Sequence, residues 1–274
     1  MKIISIWIYI FASSIAKFAA NSITNDSVGC ENFGLGNQFQ RNTHPAYDLD
    51  FKERGELLWQ HEVYNRAANI ALNNNRSWII DAGCGNGLKA FRLYRRGFKV
   101  YALDMGDNAR AAQSRFTNAN QNRSRVLETD LLNSTWAKEV PDNIVLDAVL
   151  VSADVIEHML DPSKFIAAIK LLLSRGLIAV VISTPDTSTP SLQDYFWRDH
   201  PLGPPPRSSD VQIWNTTSFV RFLVCQGIPQ SSIEFGGRKN NPSDDSITGV
   251  MVTIHSQASR KSQIGNSFRI EDNI

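Results

Sequence analysis

The chain has 274 residues, enough for one α/β domain with a sizeable core and modest extensions. Its formal net charge is +1 and charged residues make up 20%, so no polyelectrolyte field marks nucleic acid as the default partner. The densest basic group, Arg92, Arg95 and Arg96, has the spacing of a solvated helix face.

Residues 1–20 differ from the rest. Lys2 precedes an apolar run, residues 3–16, interrupted by three serines, and Ser14-Ile15-Ala16 places small residues at −3 and −1 before Lys17. The run is short of the ~20 apolar residues of a comfortable bilayer span. Three readings stand: a cleaved signal peptide, an uncleaved signal-anchor with membrane association through residues 3–16, and a hydrophobic helix of another kind. The expected location is the secretory pathway, with the cytosol as alternative. Five N-x-S/T sequons (Asn25, Asn75, Asn122, Asn133, Asn215) are compatible with that route. Asn25 lies in a polar arm and is expected to be accessible; Asn75 abuts the first strand and is expected to be less so. Cys84 belongs to a glycine loop, which leaves Cys30 and Cys225 as the pair an oxidising compartment would join.

Residues 21–50 read as a polar arm. Residues 51–72 predict a helix whose apolar face includes Leu57, Leu58, Val63, Tyr64, Ala67, Ala68 and Ile70. Residues 78–80 are a buried parallel strand, ended by Asp81. Then come Gly83, Gly85 and Gly87 at every second position, with Cys84 and Asn86 between, before residues 88–96 form a helix stopped by Gly97. Glycines there permit positive φ and let backbone N–H groups and the helix N-terminus face a ligand. The spacing is G-x-G-x-G, not the dinucleotide G-x-G-x-x-G. An acid before the first glycine argues against a phosphate and for a cationic or hydroxylated ligand.

This stretch resembles motif I of the class I S-adenosylmethionine (SAM) methyltransferases. The next elements extend the resemblance. Residues 98–103 are a second strand ending at Asp104, 23 residues beyond Asp81, where an acid can accept from both ribose hydroxyls. A helix over 108–118 and a strand over 124–128 lead to Asp130, suited to an adenine amino group, and Leu131, suited to pack on the ring. The cofactor-binding residues this implies are Asp81, Gly83, Cys84, Gly85, Asn86, Gly87, Asp104, Met105, Asp130, Leu131 and Ser152.

Residues 144–151 read as a fourth, central strand. Ser163 is expected to cap a helix through 173, ended by Gly176, and residues 177–183 are the fifth strand. Residues 188–214, with Pro201, Pro204, Pro205, Pro206 and several aromatics, read as an ordered substrate lid. Asn215 or Thr216 caps a helix through 224, and residues 232–235 and 249–255 are the last two strands. The fold expected is α/β, a Rossmann-like doubly wound sheet of class I methyltransferase type with seven strands, one antiparallel. The methyltransferase domain would span residues 51–256, followed by a loose tail over 257–274.

The run Asp154-Val155-Ile156-Glu157-His158 and the segment Ser183-Thr184-Pro185-Asp186 are similar to the group containing ubiquinone-pathway O-methyltransferases. That resemblance implies His158 as general base towards a hydroxyl, with Glu157 orienting it or contacting substrate; a purely structural His158, hydrogen-bonded near the cofactor, is the other reading. It also resembles an E-x-x-E-H metal site, in which Asp154, Glu157 and His158 on one turn would hold Mg²⁺; metal is the less favoured reading. The expected activity is SAM-dependent O-methylation of a small-molecule or glycan hydroxyl, or a carboxylate. The alternatives are a non-catalytic SAM-fold binding module and an RNA 2′-O-methyltransferase.

Overall fold

The computed structural model describes residues 60–117, 123–186, 214–239 and 247–256. The chain divides into two compact units, residues 1–32 and 33–274, and every described residue belongs to the second. The signal and arm readings, Asn25, Cys30, Asn122, the lid over 188–213 and the tail over 257–274 lie outside the described residues.

A seven-stranded sheet carries the fold, in the order β3-β2-β1-β4-β5-β7-β6. The strands are β1 (Trp78–Ala82), β2 (Lys99–Asp104), β3 (Ser124–Glu128), β4 (Ala148–Ala153), β5 (Ala179–Pro185), β6 (Ile233–Lys239) and β7 (Ile247–His255). β1 to β5 pair in parallel, whereas β7 runs antiparallel to both β5 and β6, so it is the one reversed strand. Every residue of the central strands β1 and β4 is buried, as a strand covered by helices on both faces requires. In the edge strand β3 only Ser124 is buried, while Arg125 and Glu128 are exposed.

Helix α1 (His61–Asn73) lays Val63, Tyr64, Ala67, Ala68, Ile70 and Ala71 against the sheet. Alanines on that face let the helix approach closely, and Ile79, Val149, Val151 and Ala153 share the resulting core with Val63 and Tyr64. Helices α2 (Leu88–Arg95) and α3 (Gly106–Phe116) join the same layer through Leu93, Ala112 and Phe116.

Several local expectations change. Strand β1 continues through Asp81 and Ala82, both paired with β2. Residues 144–147 are not strand. Pro141 O accepts from the N–H groups of Ile144 and Val145 at 2.9 and 3.0 Å, which closes a one-turn helix, α5 (Asp142–Val145), after α4 (Trp136–Glu139). β5 starts two residues later than expected because Leu177 N–H still donates to Leu172 O (3.0 Å) to finish the preceding helix, α6 (Pro162–Ser174). Asp161, not Ser163, caps α6. Its carboxylate accepts from Ser163 N–H at 3.2 Å, and Pro162 takes the first helical position, where a missing N–H is harmless. Asn215 caps α7 (Thr216–Cys225) as expected, in a reciprocal box with Ser218.

Candidate cofactor and catalytic site

Connections leave β1 towards β2 on one side, while β4 starts the series on the other. Ligands of open α/β sheets bind outside the strand C-termini at such a point. The glycine loop sits there. Gly83 and Cys84 N–H both donate to Leu103 O (2.8 and 3.1 Å), and Gly85 N–H donates to Asp104 Oδ2 at 2.7 Å. Three successive amides therefore lean on the tip of β2. Gly87 N–H closes on Cys84 O (3.0 Å), and Leu88 N–H goes to Asn86 Oδ1 (3.0 Å). The expectation that this backbone would present its N–H groups to a ligand is corrected for these five residues. Their donors are consumed inside the loop, and a phosphate cradle is not formed by them.

Two glycines are required for different reasons. At Gly83, φ is +84° and a Cβ would fall 2.4 Å from Val155 Cγ2, so neither the backbone nor the space admits a side chain. At Gly85, φ is +56° but, among the described residues, nothing lies within 4 Å of a Cβ, so they leave this face of the loop open to an approaching group. Asn86 ties the loop to its helices, its carbonyl accepting from Arg115 Nε at 3.1 Å. Cys84 is free and buried, and burial pushes its thiol up.

The three acids expected at strand tips have distinct surroundings. Asp81 is fully buried, and its two carboxylate oxygens each stand 3.1 Å from the Tyr64 hydroxyl. Burial lifts its pKa to about 7, opposed by the Tyr64 hydrogen bond and Lys89 and reinforced by Asp104. A buried, poorly paired carboxylate costs several kcal/mol, whereas a hydrogen bond to a charged group returns about 1.5–3 kcal/mol, so desolvation prevails. Asp104 accepts from Gly85 N–H and, through Oδ1, from Met105 N–H at 2.8 Å. Met105 is exposed beside it. Asp130 Oδ1 accepts from Leu132 N–H (2.9 Å), and Leu131 is buried with its carbonyl receiving Trp136 Nε1 (3.3 Å).

Beyond β4 the chain turns sharply. Asp154 adopts φ +53°, a left-handed conformation uncommon for a non-glycine residue, and its Oδ1 accepts from Ser183 Oγ at 2.8 Å. Glu157 and His158 follow in a separate 3₁₀ turn, Ile156–His158. Glu157 is buried, and its Oε1 lies 4.0 Å from Nε2 of the partly exposed His158. Asp154, Glu157 and His158 are therefore not presented together on one turn. Among the described residues, no group of three or more His, Cys, Asp or Glu side chains is placed to hold a metal ion. Ser152 is fully buried, its hydroxyl without a hydrogen-bond partner among the described residues. Val151 and Ala153 belong to the core under α1, so strand alternation turns Ser152 to the opposite face.

Sequence reasoning missed Tyr64 and Gln60 as site neighbours. Gln60 Nε2 donates to Ala153 O at 2.9 Å across a separation of 93 residues. Tyr64 shows in the sequence only as one apolar-face position of a helix.

Residues 80–181 match a family model described as a methyltransferase domain. Over 120 residues the chain is 34% identical to uncharacterized methyltransferases of Mycobacterium bovis and Mycobacterium tuberculosis, covering 43% of this chain and 55% of each relative. The chain thus spans about half the length of the curated relatives it matches. Among solved structures it is similar to the methyltransferase domain of bacterial CtHen1, with 18% identity, a TM-score of 0.50, and coverage of 72% of this chain and 98% of that one. It is also similar to the small RNA methyltransferase HEN1, with 19% identity, a TM-score of 0.50, and coverage of 70% and 25%. At such identity the likeness speaks for the fold. The chain thus matches a methyltransferase-domain model over residues 80–181, and its seven-stranded α/β sheet shares the fold of these solved methyltransferase domains.

Proposed function

We propose that this chain transfers the methyl group of SAM to an oxygen of a small-molecule or glycan acceptor. The observation that carries the reading is the joining of an open, left-handed Gly85 to the Asp104 carboxylate at the switch point, with buried Asp81 beneath. The residues present suit this cofactor. Asp104 accepts from two backbone N–H groups, and a carboxylate with about four lone-pair sites has the chemistry to accept from ribose hydroxyls. Met105 and Leu131 supply apolar surface near the Asp104 and Asp130 tips, and Asp81 and Asp104 favour a cationic ligand over a phosphate.

When bound, SAM supplies a methyl group already activated on a sulfonium, so the protein's task is alignment and removal of a proton. His158, just past the tip of β4 and partly exposed, takes the proton of the acceptor hydroxyl. Buried Glu157 beside it orients the imidazole and stabilises its protonated form. No step requires a nucleophilic cysteine.

Calorimetry with SAM and with NAD, followed by transfer of labelled methyl from SAM to an extract of the source organism, tests the proposal. Binding of NAD without SAM would overturn the cofactor assignment. SAM binding without transfer to any extract component would favour a non-catalytic binding module, and label in RNA would move the acceptor to a ribose hydroxyl.

The compartment we infer is the secretory pathway, with residues 1–20 as signal. Cys225 is disulfide-bonded and Cys84 is free, a pattern that favours an oxidising environment. Among the described residues no helix is long and apolar enough to cross a membrane, and residues 3–16 lie outside them.

A further inference from the structure

Helix α1 lies outside the segment matched as a methyltransferase domain, yet its first turns reach two strand tips at the switch point. Gln60, in a left-handed conformation at the helix start, holds the end of β4 through Ala153 O. One turn later the Tyr64 hydroxyl meets both oxygens of Asp81 on β1, two residues before Gly83. We propose that Tyr64 is a positioning residue for the cofactor site, its hydroxyl favouring the ionised form of the Asp81 carboxylate beneath the glycine loop so that the loop favours a cationic cofactor. The proposal rests on the SAM reading above and adds a residue and a charge rule to it.

Asp81 is wholly buried, and among the described residues Tyr64 is the side-chain hydrogen-bond donor to it. The charged and titratable groups that act on this pair are Lys89 at the start of α2, Asp104 at the tip of β2, Cys84 in the loop and Asp154 past β4. Lys89 is the one cation among them, and Asp104 and Asp154 add negative potential. Without the hydroxyl, the buried carboxylate would lose its charge-assisted hydrogen bond and take up a proton more readily. The negative potential under the loop would then weaken, leaving the share of Asp104 and Asp154. A sulfonium would feel that loss, whereas S-adenosylhomocysteine, whose sulfur is a neutral thioether, would feel it much less.

The proton balance gives a second readout that needs no ligand. Asp81 in the folded chain binds its proton more tightly than its ordinary value of 3.8, with a midpoint at about 7. Its contribution therefore favours the folded state most below about pH 4, declines as pH rises towards about 7, and levels off above. Removing the hydroxyl pushes that midpoint up, so the decline extends to higher pH. Removing the carboxyl abolishes this component.

The test uses the full chain as wild type, Tyr64→Phe and Asp81→Asn. Thermal stability is followed across the pH range, and SAM and S-adenosylhomocysteine binding are measured by calorimetry near pH 7.5. We expect Tyr64→Phe to extend the stability decline upward and to weaken SAM by about tenfold, with a smaller change for S-adenosylhomocysteine. Asp81→Asn should lack the decline and lose the preference for the sulfonium. Equal loss of both ligands with an unmoved decline would reduce Tyr64 to a packing role and overturn the proposal. A wild-type chain that binds neither ligand would overturn the cofactor reading together with this one. Intact SAM binding that Tyr64→Phe leaves untouched would overturn this inference alone.

Discussion

The backbone N–H of Gly85 donates to Asp104 Oδ2 at 2.7 Å, so the glycine loop and the tip of the neighbouring strand are one unit. The acid we propose for the ribose is also the anchor of the loop above it. Changing either residue should disturb both functions.

Asp104→Ala should accordingly weaken SAM binding by more than about tenfold, since it deletes the acceptor for two ribose hydroxyls and frees the Gly85 amide. Asp104→Asn keeps an acceptor oxygen and should lose less. Calorimetric titration of the two variants checks the order; equal affinities for Ala, Asn and wild type would remove Asp104 from the site.

Gly83→Ala should destabilise the chain by about 1–3 kcal/mol, because the new methyl group overpacks against Val155 and the backbone is held at positive φ. Adding Val155→Ala should relieve the clash and leave the backbone cost, so the double variant should melt above Gly83→Ala and below Val155→Ala. Thermal denaturation of the three chains decides it. Additive losses would mean that contact with Val155 is not what excludes a side chain at Gly83.

His158→Ala should lower turnover by about a hundredfold or more while SAM affinity stays near wild type, as expected for a group that only moves a proton from the acceptor. Glu157→Gln should lower turnover less. A His158 variant that loses SAM binding in proportion to activity would make the residue structural.

For the secretory route, Asn75 and Asn133 are the sequons to watch. Both are exposed, and Asn75 sits in a left-handed turn after α1; Asn25, against which Asn75 is expected to be less accessible, lies outside the described residues. Asn215 is exposed too, but its side-chain oxygen caps α7. Endoglycosidase treatment of protein expressed in a secretory host should raise gel mobility, and Asn75→Gln should remove one step. Unchanged mobility with a cytosolic fluorescent fusion would place the protein outside that route.

The amino-acid sequence by itself determined the alternation of strands and helices, the glycine loop and the strand-tip acids. These signals are local: a buried strand needs an unbroken apolar run, and a strand-to-helix turn needs glycine. Elements too short to show a period stayed hidden, such as the four-residue helices α4 and α5, where Ile144 and Val145 look like strand. What only the tertiary structure decided lies in contacts between distant segments. The Tyr64–Asp81 pair, the Gln60 bond to Ala153, the packing of Val155 on Gly83 and the bond of Asp154 to Ser183 all depend on which elements become neighbours. The direction of the loop amides belongs to the same class. The residues say that the backbone is free to turn at Gly83, Gly85 and Gly87; the position of β2 beside β1 decides that Gly83, Cys84 and Gly85 turn inward, onto Leu103 and Asp104.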